Sequence, residues 1–143
     1  MKKILLLLLQ VSFFLHASSQ VTYNKGIIVE QLLKTDTTAL GQKIVYPAFQ
    51  DDEITILKII VPPGESTGWH KHIIPVFAYI LEGTLTVEVK DNKTITLTKN
   101  STFSEVRDTY HNGINKGTEN VVLIAFYMGE KGKPLSVKEA LQN

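Results

Sequence analysis

Hydrophobic residues recur in short runs separated by turn residues along most of this 143-residue chain. The runs are rich in β-branched residues and too short for helices, and no stretch in the body of the chain sustains a helical period. This pattern is typical of strands. The predicted strands span residues 27–29, 43–47, 54–61, 76–82, 84–89, 94–98, 102–106 and 119–128.

Residues 54–61 have apolar side chains at both parities, so we expect a strand buried on much of both faces. The sequence Pro62-Pro63-Gly64 ends it, because proline cannot donate to a strand ladder and glycine permits a turn. Residues 136–139 resemble a capping box, which predicts one terminal turn of helix.

The predicted elements indicate a single all-β domain. A chain of this length fits one domain of ordinary size. Seven to nine short strands with no helix between them favour a sandwich or barrel, and closure into a jelly roll protects the edge strands. We therefore expect one β-barrel domain over residues 20–143.

Residues 1–19 have the pattern of a secretory signal peptide. Lys2 and Lys3 form a basic start, residues 4–15 are apolar, and Ala17-Ser18-Ser19 offers small residues for cleavage. The apolar run is shorter than the roughly 20 residues that span a bilayer, which favours cleavage over a membrane anchor. The predicted mature protein begins at Gln20, is exported to the periplasm or secreted, and has no membrane segment.

The composition of the chain restricts the classes of partner that it is expected to bind. The 15 basic and 14 acidic residues give a net charge of +1, which provides no electrostatic surface for nucleic acid. The chain has no cysteine, so disulfides cannot contribute to its stability. A small molecule or another protein is the expected partner.

His70 and His72 are the first candidate metal ligands. Side chains alternate faces along a strand, so two histidines separated by one residue project to the same side. Imidazole is a common ligand of transition metals, and such a pair supplies half a metal site. Taken alone, the pair is also compatible with solvated or hydrogen-bonded strand histidines.

A third histidine makes the pattern specific. Gly64, His70, His72 and Gly83 resemble the first signature motif of the cupin superfamily at its spacing, and His111 with Asn115 resembles the end of the second. The short hairpin between the motifs and the final strand are similar to those of small exported one-domain cupins. The resemblance implies a double-stranded β-helix, the jelly-roll cupin barrel.

The departures from the motifs concern the metal site. Val76 stands where the family carries a metal-binding glutamate, and Asn100 and Asp108 replace two glycines of the second motif. Asparagine and aspartate tolerate left-handed backbone, so both turns remain feasible. The resemblance implies a divalent metal (Fe, Zn, Mn, Ni or Cu) on His70, His72 and His111. Glu105 is a candidate fourth ligand or supporting partner because it shares the strand parity of His111, with a surface glutamate as the alternative.

Strand parity also places Val76 and Ala78 on the histidine side, where they are expected to make the pocket apolar. Aromatic residues near the motifs are interpreted as core or rim packing rather than substrate contacts: Trp69, Phe77, Tyr79, Phe103 and Tyr110.

Three functions remain open. The resemblance implies either a metal-dependent enzyme, such as a small-molecule dioxygenase or isomerase, or a non-catalytic binding protein for a small ligand. A structural barrel with vestigial histidines is the third. The resemblance also implies a homodimer. No catalytic residue is assigned, because the sequence names no general base.

Overall fold

A computed structural model describes residues 23–91 and 93–140. The chain divides into two compact units, with the boundary between Glu30 and Gln31. Of the first unit, residues 23–30 are described, and they form a turn in which Ile27 N donates to Asn24 O at 3.2 Å. The predicted signal peptide and its cleavage site lie outside the described residues and stay predictions.

The second unit contains nine strands within its described residues, arranged in two antiparallel sheets. The first sheet has the order β1-β8-β3-β6, and the second has the order β5-β4-β7-β2-β9. This alternation of sequence-distant strands is the jelly-roll order. The strands are β1 Asp52–Val61, β2 His70–Lys71, β3 Val76–Glu82, β4 Thr84–Val89, β5 Lys93–Thr98, β6 Thr102–Ser104, β7 His111–Ile114, β8 Val121–Glu130 and β9 Val137–Lys138.

The all-β jelly-roll fold predicted from the sequence is confirmed. The two sheets pack their inner faces together, and the core lies between them. Cross-strand partners point to the same face, so Val76 opposite Tyr127 and Ala78 opposite Ala125 form rows of the inner face. None of the described residues forms a helix long and apolar enough to cross a membrane.

The prediction that β1 is buried on both faces is wrong. Ile54, Ile56 and Ile60 are 63%, 56% and 54% exposed, because β1 is an edge strand and the second sheet covers only its inner face. Ile56 pairs with Phe126, which pairs in turn with Phe77, so the outer face is apolar across three strands. This face offers a surface for the expected homodimer, which stays a prediction.

Three local predictions are also wrong. Residues 27–29 form no strand and are exposed, and of residues 43–47 only Lys43 makes a bridge, to Thr37. The predicted helical turn at residues 136–139 is instead β9. Val137 pairs there with Lys71, so sheet hydrogen bonds prevail over a weak local capping pattern.

Left-handed backbone occurs where the sequence suggested it. Asn100 and Asp108 have φ of 69° and 49°, which confirms that both turns are feasible without glycine. Gly83, between β3 and β4, has φ of 76°, and a Cβ there would lie 2.6 Å from the backbone oxygen of Asn120. Glycine at this position is therefore required both by conformation and by space.

Asn115 anchors the loop that follows β7. Its side chain is 1% exposed. Its amide donates to Val61 O at 2.8 Å and to Glu119 O at 2.7 Å, and its Oδ1 accepts from Gly117 N at 2.9 Å. The asparagine that ends the second motif is thus a structural residue, tying the end of β1 to the loop before β8.

Replacing Gly83 by alanine should destabilise the protein more than replacing Gly64. Both glycines have positive φ, but a Cβ at Gly64 meets nothing within 4 Å. We expect Gly83→Ala to lower the free energy of unfolding by about 2 kcal/mol more than Gly64→Ala, because only the first adds a steric overlap with backbone. Urea unfolding of both variants measures the difference, and equal losses would contradict the packing argument.

Candidate metal centre

Three histidines from the second sheet converge at one point of the interior. His70 on β2 is the cross-strand partner of His111 on β7, which places both side chains on one face. His72, just beyond β2, bridges to Arg107. One potential ligand atom from each of the three rings lies within 4.8 Å of those of the other two. The sequence prediction that these residues come together is therefore met.

The backbone fixes the orientation of all three rings. His70 Nδ1 donates to Gly68 O at 2.7 Å, His72 Nδ1 to Leu135 O at 2.8 Å, and His111 Nδ1 to Thr109 O at 2.9 Å. A carbonyl oxygen only accepts, so each Nδ1 carries the proton. In the neutral rings, each Nε2 is left with a free lone pair.

Glu105 lies beside the histidines, as its candidate role required. Its Oε2 is 3.1 Å from His72 Nε2 and 3.2 Å from His111 Nε2. It follows β6 on the first sheet, and its backbone N donates to Val76 O at 2.9 Å. Glu105 is therefore the neighbour of Val76 on the adjacent strand, and it brings a carboxylate close to the position where the first motif lacks one.

The charge on Glu105 is maintained despite its burial. Burial alone would raise the pKa of this carboxyl, but the contacts with His111 and His72 outweigh it and lower the pKa to about 2. Burial lowers the pKa of His70. For His72, burial acts in the same direction, but the contact with Glu105 prevails and raises the pKa. An ionised carboxylate in the interior requires a positive partner.

The Nε2 atoms of His72 and His111 are buried and have no hydrogen-bond partner among the described residues. Their contacts with Glu105 are short but lack hydrogen-bond geometry. Neutral imidazole lone pairs facing a carboxylate oxygen repel it, so these short contacts require either protons on the Nε2 atoms, which the lowered pKa of Glu105 presupposes, or a cation between the groups. Buried polar atoms without partners are rare in native proteins, so this group fits a bound cation.

A cavity of about 190 Å³ opens beside the cluster. Its walls are largely apolar, as predicted, although Val76 and Ala78 do not line it and instead pack into the core. Of the five aromatic residues that the sequence places near the motifs, only Phe103 lines the cavity. The apolar lining consists of Ile59, Leu85, Val87, Phe103, Leu123 and Tyr127.

Two cavity residues escaped the sequence analysis. Tyr127 on β8 packs edge-on against His72, with 5.6 Å between ring centroids. Burial, followed by the charge of Glu105, raises its pKa to about 12, so the phenol is neutral at pH 7. Lys138 on β9 is the cross-strand partner of His70. The sequence predicted a helical turn there, and therefore not this strand pairing. The sequence shows Tyr127 only as one aromatic residue in an apolar strand, with no pattern that indicates a place in the cavity.

Comparisons with known proteins agree with this fold. Residues 57–127 match the family model described as the cupin domain. The comparison with curated proteins returns no significant match.

Several solved structures share the fold at low sequence identity. The polyketide cyclase RemF from Streptomyces resistomycificus has a TM-score of 0.54 at 18% identity, with 64% of this chain and 63% of that chain covered. The DMSP lyase DddQ from Ruegeria pomeroyi has a TM-score of 0.52 at 13% identity, with 59% and 42% covered. A recombinant oxalate oxidase in complex with glycolate has a TM-score of 0.52 at 18% identity, with 59% and 45% covered.

The match spans less than two thirds of each of these three structures, and identities this low show the fold alone. The family-model match adds the sequence evidence over residues 57–127, the segment that contains the three histidines and Glu105. Together, the motif match, the jelly-roll strand order and the histidine cluster establish that the chain belongs to the cupin superfamily.

Proposed function

We propose that this protein binds a divalent metal ion through His70, His72, His111 and Glu105. The observation that carries the proposal is the convergence of three imidazole rings whose Nδ1 atoms are occupied by backbone carbonyls. Three imidazoles and one carboxylate suit Fe, Zn, Mn, Ni or Cu. The unpartnered Nε2 atoms of His72 and His111 disfavour the alternative of vestigial histidines.

The first candidate function is a metal-dependent enzyme, a dioxygenase or an isomerase, that acts on a small molecule. A metal ion bound there would supply Lewis acidity or dioxygen chemistry. The protein's own residues orient the ligating rings, hold one carboxylate ionised and surround the adjoining cavity with apolar side chains. The cavity is large enough for a small organic molecule.

The second candidate is a non-catalytic protein that captures a small ligand. One observation favours it: Glu105 is the single carboxylate that lines the cavity among the described residues, and our proposal uses it as a ligand. No second carboxylate there is left to act as a general base. For either function, we propose export to the periplasm or beyond the cell, which the basic and apolar start of the sequence supports.

The purified protein should contain about one transition-metal ion per chain, and the His70→Ala/His72→Ala double variant should contain none. Removing two of three imidazoles eliminates most of the donor set. Inductively coupled plasma mass spectrometry of both proteins measures the content. An unchanged circular dichroism spectrum serves as the folding control, and equal metal content in the two proteins would reject the proposed site.

Glu105→Gln should weaken metal binding by about tenfold or more, because the amide keeps the shape of the side chain but removes its negative charge. Glu119→Gln is the matched control, since Glu119 is exposed on the loop before β8. Competition with a chromophoric chelator gives both affinities. If the two variants bind equally well, Glu105 neither ligates nor supports the ion.

Oxygen uptake separates the enzyme from the binding protein. If the protein is a dioxygenase, the iron-loaded form should consume oxygen with at least one member of a panel of small diketones, phenols and thiols, and the His111→Ala variant should not. An oxygen electrode provides the measurement. Consumption that is equal in the variant would assign the reaction to free iron, and no consumption across the panel would favour the binding protein.

A further inference from the structure

Lys138 belongs to the same cross-strand row as two of the histidines. His70 on β2 has His111 as its partner on one side and Lys138 as its partner on the other. Partners in an antiparallel sheet point to the same face, so Lys138 is directed to the face that carries the imidazoles. The next residue, Glu139, instead forms an ion pair with Lys90, with 2.9 Å between Oε1 and Nζ.

Lys138 lies at the cavity beside the histidine cluster. Lys138 lines this cavity and remains exposed, so it is accessible both to solvent and to a ligand that enters. Within residues 23–91 and 93–140, no carboxylate forms an ion pair with it. Lys71, which belongs to β2, is instead paired with Asp108, with 2.7 Å between Nζ and Oδ1.

The charges around the cavity favour an anion once a metal is bound. Glu105 contributes one negative charge, which a divalent ion exceeds, and Lys138 adds a positive charge at the entrance. Tyr127 is neutral at pH 7 and the remaining walls are uncharged. Beside the buried Glu105 and the apolar walls, water screens charges less than at an open surface, whereas the charge of the exposed Lys138 is partly screened.

From this arrangement, and resting on the proposed metal site, we propose that the cavity takes a small organic carboxylate. Its carboxylate group is held between the metal and the Lys138 ammonium, and its apolar part lies against the walls. The volume of about 190 Å³ corresponds to about six water molecules, which limits the ligand to a small acid. Lys138 is the residue that distinguishes an acid from its neutral amide.

Calorimetric titration of the zinc-loaded protein with acetate and propanoate, each beside its amide, tests the proposal. The acids should bind the native protein at least about tenfold more tightly than the amides. Lys138→Met keeps the length of the side chain without its charge, and it should weaken acid binding by about tenfold while leaving amide binding unchanged. Lys138→Arg should restore most of the acid affinity.

Lys131→Met is the matched control, because Lys131 is exposed on the same C-terminal segment and does not line the cavity. It should behave like the native protein. The proposal is overturned if the acids bind no better than the amides, if no acid binds, or if Lys138→Met and Lys131→Met have equal effects. Equal weakening of acid and amide by Lys138→Met would also overturn it, since that indicates a structural role.

Zinc content, measured on each preparation before titration, separates the two claims. Native protein that cannot be loaded with zinc contradicts the proposed metal site itself. Protein that holds zinc in all variants but shows no dependence of acid binding on Lys138 contradicts the carboxylate proposal alone.

Discussion

Three backbone carbonyls orient the three histidines of the candidate metal centre. By accepting hydrogen bonds from the Nδ1–H groups of His70, His72 and His111, they leave each Nε2 with a lone pair and fix the direction of each ring. The carbonyls come from three different segments: the turn before β2, the segment before β9 and the loop before β7. The site therefore depends on the correct docking of β2 between β7 and β9, and a local change in any of these segments should disturb it.

The two sheets make different contributions. The second sheet supplies the imidazoles, whereas the first supplies the carboxylate through Glu105 and an aromatic wall through Tyr127. Val76 lies between Glu105 and Tyr127 on the inner face, since it pairs with Tyr127 on β8 and its backbone oxygen accepts from Glu105 N. A carboxylate absent from β3 is thus provided by the segment after β6, within reach of two of the histidines. In the proposed metal site, Glu105 would add an oxygen donor to the three nitrogen donors, although the first motif is incomplete.

Local periodicity predicted the central strands and the projection of His70 and His72 to one side, whereas the place of His111 in the cluster followed from the resemblance to the cupin motifs. Sequence patterns failed where burial is set by position in the sheet. Ile54 and Ile56 read as core residues, yet β1 is an edge strand whose outer face is exposed. They also failed at Lys138, whose place beside His70 results from pairing between residues distant in sequence. Glu105 could be suggested by parity, but its distance from the imidazoles required the three-dimensional structure.

X-ray absorption spectroscopy of the purified, metal-loaded protein identifies the atoms that coordinate the ion. If the histidines and Glu105 bind it, the spectrum should show a stoichiometric metal edge and scattering from nitrogen and oxygen neighbours at about 2.0–2.2 Å. The more distant atoms of three imidazole rings should also scatter, and the His111→Ala variant should show two rings. A metal environment without imidazole scattering, or a spectrum that the variant leaves unchanged, would contradict the proposed metal site.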